Sequence, residues 1–149
     1  DRHEVGLDEE DVLDWFVQLT SAVHEIHELG IIHRDIKPAN LFITSRGLLK
    51  VGDFGVAKAL LDEEQVTSTC VGTPLYFSPE VVSGVMYGRA TDVWALGCVV
   101  YEMLTLRPPF MGENLPHLAS NIRHTPAHHL MPNTPRRPTP LFPRNPTGS

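Results

Sequence analysis

The chain has 149 residues, with 12 Lys and Arg against 18 Asp and Glu and a formal net charge of −6. That length suits one domain, and that acidic balance argues against nucleic-acid binding, which needs a basic footprint. No apolar run reaches the ~20 residues of a membrane span, and Cys70 and Cys98 lie far apart without disulfide spacing, as expected of a soluble protein in a reducing compartment.

The acidic N-terminus, DRHEVGLDEED, is unlike a signal peptide. Residues 8–29 then predict an amphipathic helix, because Val12, Trp15, Leu19, Ala22, Ile26 and Leu29 recur at steps of three and four. Asp8 suits its N-cap and Gly30 a left-handed C-cap. Residues 41–43 and 48–51 are short apolar runs around TSRG, which predicts a hairpin. Residues 56–80 lack periodicity and contain Gly72, Pro74 and Pro79, so a long ordered loop is expected. Residues 91–106 are apolar nearly all round, the pattern of a buried central helix, and Arg107-Pro108-Pro109-Phe110 stops it. From Pro116 onward lie eight of the thirteen prolines and four of the eight histidines, so a disordered tail is expected over 116–149. His117, His124, His128 and His129 match no compact metal-site spacing.

Between the first helix and the loop the chain sets Asp35, Lys37, Asn40 and Asp53 among Ile31, Ile32, Leu41, Phe42, Ile43, Leu48, Leu49 and Val51. A surface hairpin with solvated charges would explain any one of them. Taken together, His33-Arg34-Asp35 with Asn40 and then Asp53-Phe54-Gly55 resemble the H-R-D-x-x-x-x-N and D-F-G pair of protein kinases. The order continues: GTPLYFSPE at 72–80 is similar to the end of a kinase activation segment, and DVWALG at 92–97 to the central helix of the large lobe. Ser78-Pro79-Glu80, KVGDFG and WALGCVVYEM are most similar to the NIMA-related serine/threonine kinases, with polo-like and Aurora-like kinases sharing parts of the pattern.

The resemblance implies an α+β, mainly α fold. It would be a partial large lobe of the kinase domain over 1–115, with a small β-hairpin, followed by the 116–149 tail. It implies transfer of the ATP γ-phosphoryl group to Ser or Thr of protein substrates, with ATP and Mg2+ as cofactors. Asp35 would accept the hydroxyl proton, and Asn40 and Asp53 would hold magnesium. Lys37 would neutralise phosphoryl charge, and Thr73 would touch Asp35 and Lys37. Arg34 would grip an activation-loop phosphate, for which Thr67, Ser68 and Thr69 are the candidate acceptors. In the family the glutamate at Glu80 pairs with a downstream Arg that has no counterpart here. Location by the same resemblance is cytoplasmic, with cytoskeletal association among the family's options. Arg137 to Pro143 separately fits a basic-x-x-P-x-x-P ligand for SH3-type domains, a match common by chance in proline-rich stretches.

No G-x-G-x-x-G is present, and Lys37 is the first lysine. The 149 residues are therefore expected to lack most of the ATP site, as a gene-model fragment or truncated product, and to be inactive alone. The alternative is a non-catalytic kinase-like fragment that binds a partner or regulates.

Overall fold

The computed structural model describes residues 7–55, 58–59, 73–85 and 88–125. Helix α1 runs Glu9–Glu28; Asp8 caps it by accepting the Glu10 N–H at 3.0 Å, and acids fill its first turn. Gly30, at φ 70°, takes the left-handed turn after it and donates its N–H to the His27 carbonyl. Val12, Leu19 and Ile26 are buried as the periodicity predicts, and Val23 and His27 join them. Trp15 and Ala22 are half-buried, and Leu29 is 75% exposed, because it lies past the last turn, where helical spacing no longer aims side chains.

Strand β1 (Ile31–Ile32) pairs antiparallel with β4 (Lys58–Ala59), with Ile31 opposite Ala59. Residues 58–59 thus form a strand inside the span expected to be loop. Two-residue strands carry too little pattern to be seen in sequence. The expected hairpin forms from β2 (Leu41–Ile43) and β3 (Leu49–Val51), with Leu41 opposite Val51. Two small sheets among helices make an α+β, mainly α architecture.

Short 3-10 turns at Pro38–Asn40 and Pro74–Tyr76 and helix α2 (Pro79–Val82) lead to α3 (Arg89–Thr105). The α1 and α3 helices pack through Leu19, Val23, Ala95, Leu96 and Val99, with Ile36 of the intervening loop between them. Each such burial contributes about 1.5–3 kcal/mol for the larger side chains. Although α3 is apolar nearly all round, it is not buried all round: Val93 and Leu104 are exposed.

The last described helix, α4 (Leu115–His124), corrects the expected boundary at residue 116. Asn114 caps it by accepting the His117 N–H, and Pro116 sits in the first turn, where its missing N–H costs nothing. Leu118 and Ile122, one turn apart, close a second core with Cys98 and Phe110, and Trp94 stacks on Phe110 at 5.5 Å. The proline-rich composition masked this i, i+4 pair. His117 and His124 therefore stand on a helix, not in a tail. Residues 126–149, with His128, His129 and the Arg137–Pro143 match, lie outside the described residues. No described helix is long and apolar enough to cross a membrane.

Candidate active site

The segment from His33 to Asn40 connects β1 to the hairpin and lies over α3. Two consecutive amides in it are fixed by one carboxylate: Asp92 Oδ2 accepts the His33 N–H and Oδ1 the Arg34 N–H, each at 2.9 Å. Oδ2 also accepts from His27 Nε2 at 2.8 Å. Asp92 is 1% exposed. A charge that deep persists only when hydrogen-bonded from several sides. Between the anchored amides and Asp35 the chain takes a left-handed step at Arg34, φ 69°, a conformation costing a non-glycine residue about 1–2 kcal/mol. Sequence reading passed over Asp92. An acid in the first turn of a nearly all-apolar helix was the signal that could have found it.

Asp35 is held from both carboxylate oxygens. Lys37 Nζ donates to Oδ2 at 2.7 Å and Asn40 Nδ2 to the same oxygen at 3.1 Å. Thr73 donates to Oδ1 through its backbone N–H at 3.1 Å and its hydroxyl at 3.2 Å. Lys37 Nζ also donates to Thr73 Oγ1 at 2.8 Å, which closes a ring of Asp35, Lys37 and Thr73. Burial pushes the Asp35 carboxyl upward, but hydrogen bonds from Lys37, Asn40 and Thr73 and the Lys37 charge outweigh it and hold the carboxyl below its ordinary value. Asp35 is therefore ionised at neutral pH, its acceptor lone pairs already aimed.

His33 is fully buried and joins this loop to the D-F-G turn. Its Nδ1 accepts the Asp35 N–H at 3.3 Å, so the proton sits on Nε2, which donates to the Gly52 carbonyl at 3.1 Å. The ring packs edge-on against Phe54, centroids 4.8 Å apart. Asn40 gives both N–H groups to Asp35, one to its carbonyl at 2.8 Å, so its carboxamide oxygen is the end left to accept. The Asn40 carbonyl accepts the Gly52 N–H at 2.9 Å. Asp53, next in sequence, has φ 58° and accepts the Gly55 N–H on Oδ1. The remaining amide oxygen of Asn40, a buried residue, and the exposed carboxylate of Asp53, brought near by that backbone bond, are hard oxygen donors. They fit a magnesium ion that takes its other ligands from phosphate and water.

The stretch from Thr73 to Glu80 is tied to α3. Tyr76 Oη donates to Glu102 Oε2 at 2.7 Å; burial, then that bond and the Glu102 charge, push the phenol well up. Burial likewise pushes Cys98 up to about 12, with Glu102 adding to it. Glu80 was expected to lack a partner, yet Thr91 Oγ1 donates to it at 3.0 Å, and Ser78 Oγ lies 3.3 Å from the same hydroxyl. Thr67, Ser68 and Thr69 lie outside the described residues. No cluster of three or more His, Cys, Asp or Glu placed for a metal occurs among the described residues.

A family profile described as "Protein kinase domain" matches residues 1–142. Among curated proteins, human "Serine/threonine-protein kinase Nek5" is 45% identical over 115 residues, 76% of this chain and 16% of that protein. "Serine/threonine-protein kinase Nek9" of Xenopus laevis is 51% identical over 106 residues, 71% of this chain and 11% of that protein. "Probable serine/threonine-protein kinase nek2" of Dictyostelium discoideum is 47% identical over 120 residues, 78% of this chain and 28% of that protein. The chain thus spans between 11% and 28% of these relatives' lengths.

Proposed function

The chain belongs to the protein kinase family, and from that premise we propose that it carries the phosphoryl-transfer centre of a serine/threonine-protein kinase, a stretch of the large lobe. The observation that supports this best is the capture of Asp35 by Lys37, Asn40 and Thr73. An ionised carboxylate so held is a hydrogen-bond acceptor fixed in direction. It orients a Ser or Thr hydroxyl of a protein substrate and takes its proton as the hydroxyl oxygen bonds the γ-phosphorus and the bond from that phosphorus to the ADP leaving group breaks. With its pKa lowered, Asp35 is a weak base, and positioning outweighs basicity in such a reaction. Lys37, already bridging Asp35 and Thr73, places a cation where charge on the transferred group accumulates. Thr73 orders the substrate-facing chain against the same carboxylate.

Asn40 and Asp53 would hold magnesium, which when bound neutralises the β- and γ-phosphates of ATP. Arg34 is read as the grip for a phosphate on Thr69, with Thr67 and Ser68 as alternative acceptors.

These 149 residues contain no Gly-rich loop and no lysine before Lys37. One face of a nucleotide bound at Asp53 would stay in water. The isolated chain is therefore expected to show no phosphate transfer and no micromolar Mg-ATP binding by calorimetry. A binding or regulatory fragment is the second reading, favoured by apolar side chains the hairpin leaves exposed, Phe42 and Leu48 on the face away from the core and Ile43 at the edge of the other.

The catalytic reading is tested by grafting residues 7–125 in place of the matching segment of human Nek5 and assaying a Ser/Thr peptide set with Mg-ATP. The graft should phosphorylate, and Asp35→Asn should lower turnover by about 10²–10⁴. Undiminished turnover in Asp35→Asn would sink the role, and an inactive, folded graft would favour the binding reading.

A further inference from the structure

We propose that Gln18, in the middle of α1, is a positioning residue: its carboxamide fixes the β2–β3 hairpin on α1 and thereby sets Asp53 against Asp35. The inference rests on the kinase reading for what Asp53 and Asp35 do. The geometry that carries it does not.

Gln18 Oε1 accepts the Leu49 N–H at 2.8 Å, and Nε2 donates to the Gly47 carbonyl at 3.2 Å. A further bond from Nε2 to Asp14 Oδ2, 3.0 Å, holds the amide plane from its own helix. The Thr44 N–H donates to the Leu48 carbonyl. The antiparallel alternation therefore turns the Leu49 N–H away from β2, onto the outer edge of β3. Gly47 and Leu49 face that edge together, and one planar side-chain amide meets both, as a peptide group of a neighbouring strand would.

The hairpin tip is stiff in itself, since the Gly47 and Leu48 N–H groups donate to the carbonyl and hydroxyl of Thr44. What remains is where the stiff hairpin sits along the helix. Leu49 and Val51 pack on the core that contains Leu19. Apolar contact is non-directional, however, and permits sliding. The Gln18 amide is the directional restraint between hairpin and helix, and it acts beside the bonds that Gly52 makes to Asn40 and His33 at the other end of β3. From Leu49 the strand reaches Asp53 in four residues, about 13 Å.

At the other end of α1, His27 holds Asp92, which fixes the amides of His33 and Arg34 just before Asp35. Gln18 and His27 lie about 14 Å apart along the helix and on opposite sides of it. One rigid helix therefore joins the strand leading to Asp53 and the loop carrying Asp35.

The test uses the 15N-labelled 149-residue chain. Leu49 amide exchange reads the bond, and Mn2+–ATP titrated to millimolar reads the site through paramagnetic broadening of the Asn40 side-chain amide and the Gly55 amide. In the wild-type chain the two signals should broaden together. Gln18→Met, which keeps the bulk and removes both bonds, should speed Leu49 exchange about tenfold, the effect of losing one hydrogen bond. It should also weaken Gly55 broadening relative to Asn40 at the same Mn2+–ATP concentration, because Asp53 no longer sits at the shared ion, with the far-UV helical signal unchanged. Gln18→Glu retains the Leu49 bond and should fall between. It carries the comparison if Gln18→Met unfolds. Joint broadening in the variant as in the wild type overturns the Gln18 inference alone. A wild-type chain in which Mn2+–ATP broadens neither signal overturns the metal reading, and the positioning role with it.

Discussion

Replacing Asp92 by Asn exchanges a buried carboxylate for an amide of nearly the same shape, so the cost comes from hydrogen bonding alone. The carboxylate accepts from His27 Nε2 and the His33 amide on one oxygen and from the Arg34 amide on the other. With the amide oxygen at the Oδ2 position, two bonds survive as neutral ones, each weakened by about 1 kcal/mol. The amide nitrogen then faces the Arg34 N–H, donor against donor, and an unpaired buried donor costs about 1–3 kcal/mol. The sum is about 3–5 kcal/mol, comparable to breaking a buried ion pair, and a large share of the 5–15 kcal/mol typical of whole domains. Urea denaturation followed by far-UV circular dichroism measures it through the midpoint and slope. The released amides flank the left-handed Arg34, so the loop should relax there. Chemical shifts of the Asp35 and Thr73 amides should move with it. A destabilisation below about 1 kcal/mol with those shifts unmoved would refute the claim that Asp92 holds the loop.

Lys37→Met removes the strongest interaction lowering the Asp35 pKa, and the sign of the pH effect follows. Because the folded-state pKa is depressed, Asp35 stabilises the fold above the ordinary carboxylate range and loses that contribution as pH falls through the lowered value. In Lys37→Met the contribution should be smaller and its loss complete at higher pH, and a 13C titration of the Asp35 carboxyl checks it; an unchanged midpoint would remove Lys37 as the cause. Gly112→Ala tests the second core, since a Cβ there would come within 2.3 Å of the Leu118 nitrogen at the start of α4. Backbone cannot swing aside as a side-chain end can, so about 1–3 kcal/mol should be lost in thermal or urea unfolding. A variant as stable as the parent would show that α4 is not seated on Gly112.

Much of this arrangement could be read in the residues. The Asp8 cap, the spacing of Val12, Leu19 and Ile26, and the TSRG turn each specify local structure by themselves, and α1 and the hairpin stand where expected. The contacts of Thr73 with Asp35 and Lys37 were legible only through the family resemblance, because no local rule joins residues that far apart. What escaped was tertiary. The β1–β4 pair is two residues long, and α4 depends on a Leu118–Ile122 pair that acquires a core only once Phe110 and Cys98 face it. Leu29 counted as a core position until the helix ended one residue before it. Asp92 and Gln18 gain their partners only after distant segments meet, so their polarity looked incidental.

The partners of Asp35 also differ in how far the chain must travel to supply them. Lys37 and Asn40 come from two and five residues away, whereas Thr73 comes from 38. Closing a loop of 38 residues rather than five costs about 2 kcal/mol more in chain entropy. During folding, the local half of the carboxylate's surroundings can therefore form with the hairpin, before the segment bearing Thr73 has returned. A nascent or partly unfolded chain would hold Asp35 paired with Lys37 and Asn40 while its other oxygen still faced water. Assembly of the centre then follows sequence separation, and the side that meets the substrate hydroxyl is the last to be completed.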